Sequence, residues 1–283
     1  MGTVPTHYPG EKKMAANENI RPEAAAPAGP IAGVGAALIT ACHTAGETLS
    51  VLGRTIASLP YLPFRMRDTL NQMYYYGVSS QMVTSLFALF SGMIIAFNTG
   101  IVLKDLGMQV SIGSISAVAF CREWGPVMTA VILTARVGSS MAAEIGTMKV
   151  SEEIDALEVM GIDPVQYLVL PRVVTLAFMT AALTMISDLV GIFGAGLVGQ
   201  LQIGVDYRVF YNDAVSYLKF KDVISGLVKA VVFGILIATV CCTQGLVTKG
   251  GARGVGKSTM YAVVSSLLFM IVIDYIIAKL FFG

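Results

Sequence analysis

Five long apolar stretches dominate the second part of the chain, at 78–103, 110–143, 165–203, 223–247 and 258–282. Each reaches or exceeds the ~20 residues a helix needs to cross a ~30 Å hydrocarbon core. The second and third exceed it by enough that they are predicted to tilt, kink or project beyond the membrane. Before them, 31–59 is small and moderately apolar, interrupted by His43, Glu47 and Arg54. That pattern predicts an amphipathic helix lying along the membrane face, ended by Pro60 and Pro63. Residues 64–76 carry Arg65, Arg67 and three tyrosines, an interfacial anchor leading into the bilayer. Residues 1–30, rich in Pro, Gly, Ala and charge, read as a disordered tail. The expectation is an all-α integral membrane protein: tail 1–30, interfacial segment 31–76, and a five-helix domain 77–283.

Composition agrees. Of 283 residues, 13% are charged and 55% hydrophobic, with a mean hydropathy of +0.73, whereas soluble domains carry about 25% charged residues. A net charge of +1 argues against a nucleic-acid partner. Three of the four cysteines, Cys121, Cys241 and Cys242, lie in apolar runs without a CxxC pair, so they are expected to pack as small hydrophobes. Neither disulfides nor a metal site is expected.

Five spans put the two termini on opposite sides. Arg54, Arg65, Arg67, Lys149, Arg172, Lys249, Arg253 and Lys257 flank the spans on the N-terminal side. Lys104, Arg208, Lys219, Lys221 and Lys279 lie opposite. The bias places the N-terminus, and with it loop 146–164, in the cytoplasm. That loop predicts a short helix. Ser151 is its expected N-cap, Glu152 and Glu153 favour its first turn, Gly161 gives a left-handed stop and Pro164 prevents continuation. Ile154, Leu157 and Met160 alternate with Asp155 and Glu158, which suits either a solvated connector or a lever docked on a cytoplasmic partner.

Ionisable groups inside the spans are the candidate chemistry, because they are costly there unless they face a bundle interior or a wet cavity. Arg122 and Glu123 lie about 18 Å into the second stretch. Pro126 should kink the helix beside them. Thr129, Arg136, Ser140 and Glu144 continue down one face at helical spacing. A structural ion-pair network and a substrate-lining or gating stripe both fit. Asp188 and Asp274 are expected as interior partners, for Arg122 or Arg136. Gly191, Ala195 and Gly199 form a small-residue ridge that lets helices approach closely. Gly251 to Ser258 matches G-x-x-x-x-G-K-[ST], yet no strand precedes it, so a cytoplasmic turn explains it better than a nucleotide loop. A membrane-embedded lipid-modifying enzyme is a competing class. It lacks support, since His7 and His43 lie outside the spans with no carboxylate motif. A channel would need a polar pore repeat.

Several motifs in order resemble the MlaE/YrbE permease family. They are Arg122-Glu123-Trp124-Gly125-Pro126, Ala135-Arg136-Val137-Gly138-Ser139, Ala143-Glu144-Ile145-Gly146, Glu158 to Pro164, Pro171-Arg172 and the closing Ile273-Asp274-Tyr275-Ile276. The resemblance runs from about Arg67 to Gly283. It implies the permease subunit of an ABC-type phospholipid transporter of a bacterial inner membrane, a homodimer. Two cytoplasmic ATPases would bind the nucleotide, and mammalian-cell-entry (MCE) proteins would sit on the far side. It places Arg122 and Glu123 near a lipid cavity, with Ile94, Phe97 and Ile101 expected toward acyl chains. It places coupling to the ATPase on 144–164, with Glu144, Glu152, Glu153, Ile154, Leu157 and Glu158 as contacts. Pro126, Arg136, Asp188 and Asp274 are structural or gating candidates.

Overall fold

A computed structural model describes residues 30–283, all helix and connector with no strand among them. The expected tail lies outside the described residues. Helix α1 spans Pro30–Ala57. It gives way to a 3-10 turn, Leu59–Arg65, holding Pro60 and Pro63, because a proline cannot donate to the α ladder. Five helices long and apolar enough to cross a membrane follow: α2 (Met66–Asp105), α3 (Gln109–Val150), α5 (Val165–Ile203), α7 (Phe220–Leu246) and α8 (Gly251–Phe282). Between them stand two short helices, α4 (Glu153–Val159) and α6 (Tyr207–Tyr217). The anchor and the first span are one helix, since α2 runs unbroken from Met66.

Helices α2 and α5 pack most intimately. The buried side of α2 repeats every fourth residue: Tyr76, Ser80, Thr84, Ala88, Gly92, Ala96 and Gly100. Such a ridge of mainly small residues lets backbones meet where no hydrophobic effect drives helices together. A Cβ on Gly92 would lie 1.9 Å from the Gly191 carbonyl oxygen, and one on Gly194 2.5 Å from that of Leu89. The expected ridge at Gly191, Ala195 and Gly199 thus divides its work. Gly191 meets Gly92 of α2 and makes room for Phe120, Gly199 makes room for Phe210, and Gly194, outside the expected ridge, seats α2 at Leu89. The remaining core draws Leu133, Met141, Leu176, Phe233 and Ile237 into one cluster. Cys241 and Cys242 are buried within it, and the four cysteines are free thiols.

Where a kink is expected at Pro126, the helix carries a π turn, itself a common origin of kinks. The ladder ahead of the proline widens over Phe120–Trp124, closed by the Gly125 N–H donating to the Phe120 carbonyl. A second π turn, Thr134–Gly138, follows. Each adds a residue to a turn and rotates every later side chain around the axis, and such turns gather at functional sites. At the far end, Asp213 of α6 accepts a hydrogen bond from the Ser114 N–H (2.7 Å), which caps the start of α3. Gly251 to Ser258 is not a turn: it forms the first two turns of α8, entered through Gly250 at φ 91°.

Candidate functional site

The π turn presents Arg122 and Glu123, neighbours in sequence, to one acceptor and one donor on α7, Asp222 and Lys229. Arg122 Nε donates to Asp222 Oδ1 at 2.8 Å. Lys229 Nζ lies 2.6 Å from Glu123 Oε2 and 2.9 Å from Asp274 Oδ1 of α8. Asp222 and Lys229 are seven residues, two helical turns, apart and so share one face of α7. The ring of Phe282 closes the cluster from the chain end, 4.1 Å from the Arg122 guanidinium. Three helices therefore contribute two cations and three carboxylates. Lys229 is fully buried, yet the Glu123 and Arg122 side chains keep 43% and 35% of their surface exposed. Arg122 stands thirteen residues, about 20 Å, from the start of α3. Its partners, Asp222 in the first turn of α7 and Phe282 at the end of α8, set it level with one end of those spans, where an open charge belongs against head groups, a wet cavity or a partner and not lipid tails.

Lys229 and Asp222 were not among the expected site residues. The signal was present, since Lys229 is the one lysine inside the apolar stretch 223–247. Asp274 pairs with Lys229 and not with Arg122 or Arg136. Asp188 Oδ1 has no hydrogen-bond partner among the described residues and packs against Gly125, where a Cβ would lie 1.7 Å from it. The expected single stripe also divides. Thr129 turns inward to Ser187 Oγ, 3.2 Å, while Arg136 turns outward and donates to the Ser79 carbonyl of α2. Ser140 donates to Glu144 (2.9 Å), which pairs with Arg172 of α5 (3.2 Å). The second π turn separates Thr129 from the rest and accounts for the change of face. Ile94, Phe97 and Ile101 share an exposed outer ridge of α2 with Val83, Phe87 and Phe90. Four of the six, Val83, Phe87, Phe90 and Ile94, line a groove of about 320 Å³ there.

The connector at the other end differs from expectation at both its start and its faces. Ser151 closes α3, and Glu152, at φ 61°, is the left-handed residue from which α4 starts. Gly161 at φ 74° stops it, as expected. Ile154 is buried in the chain's own core, with Leu157 packed beside it. Glu152, Glu153 and Glu158 are exposed, and the apolar surface left open is Val159 (89%) and Met160 (65%). Lys149 pairs with Asp155 across the turn. Val159→Asp with Met160→Asp is therefore expected to leave folding intact and to lower pull-down of an ATPase several-fold, whereas Ile154→Asp should abolish folded protein.

The profile of the MlaE permease matches residues 69–280. A probable ABC transporter permease of Rickettsia conorii is 37% identical over 80% of this chain and 88% of its own. One from Synechocystis is 38% identical over 76% and 82%. The Arabidopsis thaliana chloroplastic protein TRIGALACTOSYLDIACYLGLYCEROL 1 is 35% identical over 82% of this chain and 66% of its own. The matched residues contain all five spans apart from their outermost ends, the charge cluster and α4. The chain therefore belongs to the MlaE permease family and is the multi-pass, non-catalytic permease subunit of an ABC-type transporter, whose ATPase is a separate component.

Proposed function

We propose that this permease moves phospholipids through a cavity shared by two copies of the chain, with Arg122 and Glu123 at its mouth. The observation that carries the proposal is their exposure, 35% and 43%, beside the fully buried Lys229: charges left open in a cluster anchored inside the bundle need water, a head group or a second subunit. Arg122 is fixed through Nε by Asp222 and stacked on Phe282, which leaves its outer edge for a phosphate. Glu123, beside it, suits the amine of a zwitterionic head group. The apolar ridge of Ile94, Phe97 and Ile101 supplies surface for acyl chains. A twofold dimer gives the five-helix bundle a second wall. The Arabidopsis relative carries a glycerolipid in its name, which favours a lipid substrate.

In this reading α4 is cytoplasmic, as the distribution of Lys and Arg supports. Nucleotide is bound by the ATPase and an MCE-domain protein receives or delivers lipid on the far side of a bacterial inner membrane. Pro126, Asp188 and Asp274 hold the π turn and Lys229 in place, and Arg136 ties α3 to α2. The test is Arg122→Ala in the reconstituted complex. Assembly with the ATPase should persist while phospholipid-dependent stimulation of ATP hydrolysis falls at least several-fold. Loss of assembly with full stimulation of the surviving complex would make the cluster purely structural.

A further inference from the structure

The opposite end of the bundle holds a second polar site that the transport path does not use. A cleft of about 300 Å³ opens between the 3-10 turn and the start of α5. Tyr61 and Arg65 form one wall; Ile162, Asp163, Gln166 and Tyr167 form the other. The Arg65 guanidinium lies 4.0 Å from the centre of the Tyr167 ring. Asp163 Oδ1 accepts from Arg54 and from the Val165 N–H, both at 2.9 Å, so the carboxylate that lines the cleft has its charge countered by Arg54. Arg65 is only loosely held, 3.4 Å from the exposed Asp68. Segment 48–67 contributes three arginines and no acid.

The surroundings identify the medium. Leu49, Ile56, Leu59, Met66, Leu70 and Tyr74 are all exposed at this end. Apolar side chains arrayed beside arginines and tyrosines mark the boundary between head groups and acyl chains. A cleft at that boundary, the size of a small ligand site, with an under-used guanidinium between two tyrosines, suits a phosphate presented by a lipid.

We propose that this cleft binds the phosphate head group of a phospholipid from the leaflet on the α4 side, with Arg65 as its main contact. Tyr61 and Tyr167 flank the head group and Gln166 donates to it. Because one wall is the 3-10 turn and the other directly follows α4, the bound lipid clamps the interfacial segment to the connector. It is a resident lipid and not cargo. The inference does not rest on the transport reading, and Arg122 lies at the other end of the bundle.

The experiment places a photoreactive amino acid at Ile162 in the full-length chain, held in nanodiscs. With phosphatidylglycerol, illumination should give a lipid adduct identified by mass spectrometry. Arg65→Gln should reduce it several-fold, Arg65→Lys should restore most of it, and Arg122→Ala should leave it unchanged. Nanodiscs of a phosphate-free glycolipid should give none. An adduct of equal yield in phosphate-free discs, or in Arg65→Gln with an unchanged melting temperature, would overturn the proposal. So would its loss on addition of millimolar inorganic phosphate, since the cleft would then prefer the free ion.

Discussion

Lys229→Met is expected to remove most folded protein from the membrane. The substitution keeps the volume of the stem but leaves Glu123 and Asp274 facing each other without a cation. Removing one member of a fully buried pair costs about 3–5 kcal/mol because the partner charge stays uncompensated, and the partial exposure of Glu123 and Asp274 brings the cost here to the lower end or below. A domain whose total stability is about 5–15 kcal/mol tolerates little of that. The triple variant Lys229→Met, Glu123→Gln, Asp274→Asn should recover much of the lost yield, since a neutral set needs no counter-charge. Detergent-resistant yield and melting temperature of the parent, the single and the triple variant check this. If Lys229→Met alone is as stable as the parent, the geometry of the cluster is wrong.

The second large effect concerns backbone contact. Gly92→Leu should separate α2 from α5, because its Cβ would fall 1.9 Å from a backbone oxygen that cannot move aside like a side chain. Close-packed interiors have no slack for such a group. Gly92→Ala already intrudes and should be destabilised, whereas Gly107→Ala, with open space around it, should suffer only the strain of φ 71°. Limited proteolysis of the purified variants ranks the three.

Hydropathy made the spans legible because their length and apolarity are set by the bilayer and hardly depend on neighbours. The helix ahead of the spans and its proline stop were legible for a similar local reason. What was hidden depended on tertiary geometry. Ser151 carries a good capping side chain, but the preceding helix runs on to Val150 and claims it, so the connector starts a residue later. Ile154 looked free to meet a partner because helical spacing shows a face without saying what covers it. The stripe from Thr129 to Glu144 assumed one unbroken 3.6-residue period, which the π turn at Thr134–Gly138 resets. Arg122 and Glu123 stood out as charges in an apolar run. Lys229 bears the same mark, but only the fold shows that it faces Glu123 across α3 and α7 and draws in Asp274.

Lipid contact beside that cluster is most directly measured with a photoreactive residue replacing Trp124, which is exposed next to Glu123. A control probe goes at Ile271, on the outer face of α8. In membranes containing the assembled transporter, a phospholipid adduct should form at residue 124, change in yield when ATP is added, and disappear in Arg122→Ala. The control should label indiscriminately and ignore ATP. Equal, ATP-insensitive labelling at both positions, unaffected by Arg122→Ala, would contradict a lipid path at Arg122 and Glu123.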